Sequence, residues 1–322
     1  MTQARDLQFK SINYTGLGKG PRLIVTGAVH GNETCGTKAI RRIMEEIDSG
    51  KLLMAAGSVT FVPVTNPLAY QLEQRSGERN LNRNLFPNQN PQDFEDQIAN
   101  WLCPLLAQHD VLLDLHSFNA QSEPFVMVGP LDNEDPLQPF KHAAKERALA
   151  RRLGVRRFVD GWLATYGAGV QRRMSDKSEL ATVLRYGVGT TEYMRTTGGY
   201  ALTLECGQHK DPAAPEVAYR AIMNTLAFLK LVDAPEPAPV PADQMEALSM
   251  VVVHDKAHAG DSFVRQWASF DPVAKGEQIG VRADGTPVTS ELDGRILFPD
   301  TNAGPNQEWY YLTRPNPDFA RS

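Results

Sequence analysis

Short apolar segments that alternate with helical patterns organise the first two thirds of the chain. Apolar runs rich in β-branched residues predict buried strands at residues 23–29, 59–64, 111–117 and 198–207. Apolar residues at helical spacing predict helices at residues 34–47, 94–105, 139–152 and 216–231. Strands that alternate with helices favour an α/β fold, here a mixed, largely parallel sheet flanked by helices.

Two stretches interrupt this alternation. Residues 71–90 are polar, dense in arginine and asparagine, and show little periodicity, which predicts a long irregular loop. Such a loop inside a compact domain is usually functional or mobile. Residues 157–170 also predict a loop, and a mostly polar helix is expected near residues 171–186.

A proline-rich segment marks the clearest boundary in the chain. Residues 233–246 predict an extended linker, with a larger α/β domain over residues 1–232 before it. Short alternating strands with turn signals predict a small all-β domain over residues 247–322. Parts of this tail resemble the half-repeats of lipoyl-like barrel-sandwich domains. The Asp-Lys-Ala tripeptide that carries the lipoyl group is missing there, so a carrier role is disfavoured.

Composition narrows the functional classes. The 322 residues are 42% hydrophobic and 22% charged, which is ordinary for a globular protein. The net charge of −5 gives no electrostatic reason to expect nucleic acid or an anionic membrane as a partner. Three widely spaced cysteines argue against a disulfide framework, and the N-terminus lacks an apolar signal core. We therefore expect a cytoplasmic protein.

Groups that bind metals or move protons follow three of the predicted strands. His30 and Glu33 come directly after the first strand, on either side of a tight turn. An imidazole and a carboxylate so placed can converge on one cation, and a catalytic zinc site uses three protein ligands at about 2.0–2.2 Å. His116 ends the third strand and is the candidate for the third ligand. Asp114 points to the same side of that strand and is placed to orient the imidazole.

Each of these residues also has a purely structural interpretation. The His30–Glu33 spacing alone is a weak motif, typical of a surface histidine beside a helix-terminal glutamate. His116 alone would fit a hydrogen-bonded core histidine. Glu205 closes an apolar strand, where an unpaired charge is costly, so it either pairs with a loop arginine or acts as a general base. The recurrence of such groups at three strand ends favours the functional interpretation.

The polar loop contains candidates for substrate binding. Arg83 offers a bidentate guanidinium and Asn82 an additional donor, a combination suited to gripping a carboxylate. For Arg79 a solvated loop position is the favoured interpretation.

Four ordered motifs resemble the succinylglutamate desuccinylase/aspartoacylase family, which is itself similar to zinc carboxypeptidases. They are the run from His30 to Glu33, the loop from Arg75 to Arg83, the strand end at His116, and Leu204-Glu205-Cys206-Gly207. The resemblance covers most of residues 20–232, and the proline linker and β tail fit the family's two-domain plan.

This resemblance implies a zinc-dependent hydrolase that cleaves the amide bond of a small N-acyl amino acid or related compound. One Zn²⁺ per chain would be held by His30, Glu33 and His116, with Glu205 as general acid/base. The resemblance further implies that Arg75 polarises the scissile carbonyl and that Asn82, Arg83 and Arg195 bind the substrate.

Several points stay open at the level of sequence. A carboxypeptidase-like metallopeptidase and a non-catalytic zinc-binding protein of the same fold are the alternatives. The acyl group, the amine product and the oligomeric state, including a homo-oligomer, are not fixed. Tyr193 flanks Arg195, and the aromatic tail residues Trp309, Tyr310 and Tyr311 fit either the pocket rim or a strand core.

Overall fold

A computed structural model of the chain describes residues 7–173 and 184–319. The strands are β1 (Ile12–Thr15), β2 (Gly18–Gly27), β3 (Ala56–Val62), β4 (Val111–Phe118), β5 (Phe125–Met127), β6 (Arg157–Asp160), β7 (Tyr200–Gln208), β8 (Glu246–Asp255), β9 (Ser262–Phe263), β10 (Pro272–Val273), β11 (Gln278–Val281), β12 (Pro287–Thr289), β13 (Gly294–Leu297) and β14 (Glu308–Pro315). The strands of the central sheet follow the order β1-β3-β2-β4-β7-β5-β6-β8-β14-β13-β10.

Helices cover both faces of the sheet. They are α1 (Cys35–Asp48), α2 (Pro67–Leu72), α3 (Phe94–Leu106), α4 (Ala143–Ala150), α5 (Trp162–Arg173), α6 (Thr190–Thr196) and α7 (Ala214–Phe228). Successive residues of a strand point to opposite faces. On β2, Leu23 and Val25 accordingly belong to the same core as Ile40 of α1, whereas Ile24 between them belongs to the core beneath α3. The alternating side chains of one strand thus join two cores.

The middle of the sheet is parallel. Strand β2 pairs in parallel with both β3 and β4, and β4 pairs in parallel with β7. All eight residues of β4 are buried, as expected for a strand covered on both faces. The predicted mixed, largely parallel α/β fold is confirmed.

The C-terminal part of the chain adds antiparallel strands. After residues 233–241, which lack helix and strand, β8 joins the sheet beside β6 and is followed by β14, β13 and β10. A separate antiparallel sheet has the order β12-β11-β9. These strands confirm the β character of the tail. The division of the chain into two domains at residues 233–246 stays a prediction.

The prediction of a loop over residues 157–170 is wrong. Residues 157–160 form β6, in which Phe158 and Val159 are buried, and α5 follows after Gly161. The glycines that suggested a loop serve close packing: a Cβ on Gly169 would lie 2.4 Å from the Val253 side chain. Tertiary contact with β8 therefore outweighs the low helix propensity of glycine. Of the helix predicted near 171–186, residues 174–183 lie outside the described residues.

None of the helices in the described ranges is long and apolar enough to cross a membrane. Cys35, Cys103 and Cys206 are free and buried.

Candidate functional site

The site lies at the carboxyl ends of β2, β4 and β7, which meet at one edge of the sheet. The chain leaves β2 at Gly27 and turns tightly, with the Glu33 N–H donating to the His30 carbonyl at 3.1 Å. Gly31 occupies the turn because a Cβ there would lie 1.9 Å from the backbone of Ala69, a distance that excludes every other residue type. This turn brings His30 and Glu33 to the end of β4, where His116 lies.

Glu33 bridges the two predicted histidine ligands. Its Oε1 lies 2.9 Å from His30 Nδ1, and its Oε2 lies 2.9 Å from His116 Nδ1. The ligand atoms of the three side chains lie within 4.8 Å of one another, and all three residues are buried. The structure therefore brings together the three residues that were predicted from distant parts of the sequence.

Residues outside the triad fix the orientation of each imidazole ring. His116 Nε2 lies 2.8 Å from Asp114 Oδ2, which confirms the predicted contact, and Asp114 itself accepts hydrogen bonds from Thr26 and Thr190. His30 Nε2 lies 3.0 Å from Asn80 Oδ1. Each ring is thus held through Nε2, which leaves Nδ1 as the nitrogen that faces the space between the rings.

The orientation of the Asn80 amide follows from a second contact. The backbone N–H of Asn82 donates to Asn80 Oδ1 at 2.9 Å, so the oxygen of the amide lies on the side of His30. Because an oxygen only accepts here, His30 must donate from Nε2. Metal-binding histidines usually donate their second ring N–H to a carboxylate or carbonyl oxygen, as both rings do here.

Burial and the charges of neighbouring groups together set the pKa values of the three side chains. Burial alone would raise the pKa of Glu33, but the neighbouring His30 and His116 bring it well below its ordinary value. Burial alone would lower the pKa of His116, but the carboxylates of Asp114 and Glu33 raise it well above its ordinary value. For His30 burial prevails, helped by the charge of Arg75, and lowers the pKa to about 4. Burying this many charged groups together destabilises the fold unless the groups neutralise one another or bind a cation.

This donor set fits a divalent transition metal. Two imidazole nitrogens and one carboxylate are the ligands of a catalytic zinc site, which keeps a further position open for water or substrate. The outer partners Asp114 and Asn80 complete the arrangement that such sites require. The residues therefore satisfy the chemistry of a metal centre.

Glu205 lies next to the triad as a buried and unpaired carboxyl group. The register of β4 and β7 pairs its Cα with that of His116. Its Oε2 is buried and has no hydrogen-bond partner among the described residues. Burial, together with the negative charge of Glu33, raises the pKa of Glu205 to about 8. The salt bridge to a loop arginine that the sequence left open does not form.

A cavity of about 940 Å³ opens over this group of residues. The predicted site residues that line it are His30, Arg75, Asn82, Arg83, His116, Arg195 and Glu205. The Arg75 side chain is 53% exposed and donates to Glu33 Oε1 at 3.1 Å. Asn82 Oδ1 accepts the backbone N–H of Thr190 at 2.9 Å, which leaves the Asn82 NH₂ group as its donor for a ligand.

The loop that supplies these residues is held by three carboxylates, of which Glu95 and Asp96 are buried and Asp93 is half-buried. Arg79 pairs with Asp93 and Asp96, each at 2.8 Å, and is only 20% exposed, so the interpretation of Arg79 as a solvated residue is wrong. Glu95 accepts the backbone N–H groups of Gly77, Glu78 and Arg79. Residues 73–93 form neither helix nor strand, which confirms the predicted irregular loop.

Arg195 lines the cavity, but protein groups engage its guanidinium. Its Nε donates to Glu146 Oε2 at 3.0 Å, and its Nη2 donates to the Ala201 carbonyl at 2.7 Å. The side chain is only 3% exposed. A role of Arg195 in substrate binding stays a prediction. In the structure its guanidinium is already bound to Glu146 and to the Ala201 carbonyl.

Several residues that face the cavity were not predicted from sequence. Asn32 Oδ1 is buried and has no partner among the described residues, and Ser117 Oγ lies 2.8 Å from His209 Nδ1. Trp162, Phe298 and Tyr311 form an aromatic side of the cavity. Of these, Asn32 stands inside the histidine motif, and Tyr311 belongs to the aromatic tail segment that the sequence left open between pocket rim and strand core; the other residues carried no signal in the sequence.

The other aromatic residues whose place the sequence left open lie away from the cavity lining. Tyr193 packs at the edge of the core beneath α3 and stacks edge-on against Phe86 at 6.0 Å. Trp309 and Tyr310 are fully buried in the core of the tail. The strand-core interpretation is therefore correct for Trp309 and Tyr310.

Comparison with known families gives a match over the first part of the chain. Residues 19–149 match the model of the Succinylglutamate desuccinylase/Aspartoacylase catalytic domain. The matched segment contains the metal-site candidates His30, Glu33 and His116 and the polar loop, and the predicted resemblance is confirmed. A comparison with curated protein sequences gives no match.

Solved structures share the fold over nearly the whole chain. A succinylglutamate desuccinylase/aspartoacylase from Rhodobacter sphaeroides is 19% identical, with a TM-score of 0.71 over 96% of this chain and 90% of that one. The ectoine utilization protein EutE (DoeB) from Ruegeria pomeroyi is 20% identical, with a TM-score of 0.67 over 94% and 87%. A succinylglutamate desuccinylase from Vibrio cholerae is 18% identical, with a TM-score of 0.69 over 95% and 85%. At these identities the likeness establishes the fold.

Proposed function

Because residues 19–149 match the catalytic domain of the succinylglutamate desuccinylase/aspartoacylase family, we propose that this chain is a zinc-dependent hydrolase. Its substrate is a small N-acyl amino acid or a related N-acyl compound, whose amide bond it cleaves. One observation supports this most strongly: an unpaired buried carboxyl, Glu205, lies beside a His-Glu-His cluster at the base of a large cavity.

His30, Glu33 and His116 would hold the ion, one Zn²⁺ per chain. Zinc is the natural candidate because nitrogen and carboxylate ligands of this kind suit it. When bound, such an ion activates water and polarises a carbonyl group. Asp114 and Asn80 keep the two rings turned so that both Nδ1 atoms remain directed at Glu33.

Glu205 acts as the general base and then as the general acid. Its carboxyl accepts a proton from the attacking water and returns it to the leaving amine, which needs a group that exchanges protons near neutral pH. The pKa of about 8 meets this need in the metal-free protein. A cation bound nearby would lower that pKa and favour the ionised base.

The arginines of the loop bind and polarise the substrate. Arg75, exposed into the cavity, donates to the carbonyl oxygen on which negative charge develops, and one such donor contributes roughly 2.7–4 kcal/mol to transition-state stabilisation. Arg83 and the NH₂ group of Asn82 bind the substrate carboxylate. Arg195, already paired with Glu146, would at most extend this positive surface.

Amine release from a panel of N-acyl amino acids, measured beside matched dipeptides, tests the proposal. We expect hydrolysis of N-acetyl or N-succinyl amino acids, loss of activity on chelation, and recovery on addition of zinc. Faster cleavage of dipeptides would establish a metallopeptidase instead. Stoichiometric zinc without hydrolysis of any compound would establish a binding protein.

The proposal places the enzyme in the cytoplasm, with a small-molecule substrate and neither nucleic acid nor a membrane as a partner.

A further inference from the structure

One side of the cavity is built from aromatic side chains that the proposed reaction does not use. Trp162 at the start of α5, Phe298 after β13 and Tyr311 on β14 all line it, and we name them the aromatic wall. The ring centroids of Trp162 and Tyr311 lie 5.8 Å apart, and those of Phe298 and Tyr311 lie 6.4 Å apart. Tyr311 is buried, whereas Trp162 and Phe298 are only half-buried and offer apolar surface to the cavity.

Phe298 is held in a costly backbone conformation. Its φ of 51° lies in the left-handed region, which bulky residues rarely adopt. The Phe298 N–H donates to Ser269 Oγ at 3.1 Å, and the ring packs against Phe125 at 5.6 Å, so the surroundings fix this conformation. Glycine would adopt the same φ without strain, but it would remove the ring from the cavity. Strain kept at a ligand cavity is a reason to look for a function of the side chain.

The aromatic wall begins where the predicted carboxylate site ends. The guanidinium carbon of Arg83 lies 4.6 Å from the centre of the Trp162 ring. The Trp162 indole N–H donates to the Gly187 carbonyl at 3.3 Å, so the ring is anchored. A side chain next to a carboxylate bound at Arg83 is therefore within reach of the wall.

The charges near the wall disfavour a second carboxylate on the ligand. Asp271, Asp300 and Glu308 line the same region. Asp271 is paired with Arg265 at 3.0 Å, and Glu308 lies 3.9 Å from Arg83. An acidic side chain would meet these carboxylates, and the cations beside two of them, Arg265 and Arg83, are already engaged, which is unfavourable.

The size of the cavity agrees with a bulky ligand. Its 940 Å³ lies near the upper end of the range of about 300–1,000 Å³ that is typical of sites for drug-sized ligands. A short N-acyl dicarboxylic acid would leave the aromatic wall in contact with water.

We propose that the aromatic wall binds an uncharged aromatic or large apolar side chain, so that the preferred substrates are N-acyl derivatives of aromatic or large apolar amino acids. This inference rests on the proposed deacylase function, because it assigns the side-chain subsite of that same cavity.

Binding measured separately from turnover distinguishes the two proposals. Calorimetric titration of the zinc-loaded Glu205→Gln variant with N-acetyl derivatives of phenylalanine, glycine, aspartate and lysine reports affinity alone. Burial of one aromatic side chain predicts binding of the phenylalanine derivative at least about tenfold tighter than that of the glycine derivative. Preference for aspartate would overturn the inference, and preference for lysine would show that the nearby carboxylates select a cation. Tight binding of the phenylalanine derivative without turnover in the wild type would contradict only the proposed function.

Variants then test the wall itself. We expect Phe298→Ala to raise KM for N-acetylphenylalanine at least about tenfold and to change KM for N-acetylglycine less than twofold. Trp162→Ala also removes the ring against which Arg83 packs, so it should raise KM for both substrates, and KM for N-acetylphenylalanine by the larger factor. The matched control is Phe9→Ala, which truncates a half-buried phenylalanine that stacks on Trp101 at 5.3 Å, outside the cavity lining. An equal change for both substrates would contradict the inference. If Phe298→Ala does not fold, Trp162→Ala and the wild-type ranking of substrates decide.

Discussion

Glu205 and His116 lie side by side on neighbouring parallel strands, with their Cα atoms paired in the register of β4 and β7. His116 uses both ring nitrogens in contacts with Asp114 and Glu33, whereas Glu205 Oε2 has no partner among the described residues. The sheet therefore holds a saturated imidazole beside an unsatisfied carboxyl. A buried acceptor left unpaired is costly to the fold, which points to a role in chemistry.

Replacement of Glu205 by glutamine should separate binding from catalysis. Glutamine preserves the shape of the side chain but cannot accept and return a proton. We expect Glu205→Gln to retain one metal ion per chain and to lower kcat by about 10²–10⁴-fold, the usual contribution of a general acid/base. Metal analysis and steady-state kinetics check this, and turnover at the wild-type rate would remove Glu205 from the mechanism.

The Glu205→Gln variant also tests the raised pKa of Glu205, because that pKa makes the stability of the metal-free protein depend on pH. The folded-state pKa of Glu205, about 8, lies above its ordinary value of 4.5, so between these values the folded chain holds a proton that the unfolded chain has lost. The free energy of unfolding therefore falls as pH rises through this window. Urea unfolding at pH 5 to 8 should show that the stability of Glu205→Gln, relative to the wild type, increases with pH. A constant difference would contradict the raised pKa.

Asp114 should govern metal affinity although it is not a predicted ligand. It holds His116 through Nε2 and is fully buried. We expect Asp114→Asn to weaken zinc binding about 10–100-fold, as loss of an outer carboxylate partner typically does. The matched control is Asp110→Asn, because Asp110 precedes the same strand but pairs with the exposed Arg22. Equal zinc affinities of the two variants in competition titrations would exclude an orienting role.

Arg195 should contribute more to stability than to substrate binding. Its partner Glu146 is buried and also accepts the backbone N–H groups of Gly129 and Ala201. Arg195→Met leaves that carboxylate without its cation, and the free energy of unfolding should fall by about 3–5 kcal/mol. Arg156→Met breaks an exposed pair with Glu123 and should cost no more than about 1 kcal/mol. A raised KM for Arg195→Met at unchanged stability would instead support the predicted anion-binding role.

The convergence of the metal-site candidates could be predicted because a parallel sheet determines where the ends of its strands lie. His30, His116 and Glu205 end separate strands, and the carboxyl ends of neighbouring parallel strands share one edge. Only the type of each strand, and not its exact bounds, was needed to place these groups together. Asp114 followed from the two-residue period of the same strand.

The rest of the site depends on contacts that no local pattern encodes. Asn80 meets His30 only because the polar loop folds back over the turn, and Glu146 meets Arg195 across 49 positions of the sequence. The sequence predicted a loop around Trp162 because the glycines that let α5 pack closely against β8 are also typical of loops. Phe298 reaches the cavity because the tail strands extend the central sheet, an arrangement that the linker composition does not reveal.

The most direct test of the central claim is a titration of metal-stripped protein with Zn²⁺ while amine release from an N-acyl amino acid is followed. We predict no release without metal, a linear rise in rate that ends at one equivalent per chain, and no recovery in His116→Ala. Release at the full rate by metal-stripped protein, or by zinc-treated His116→Ala, would contradict the assignment of His30, Glu33 and His116 as the catalytic metal site.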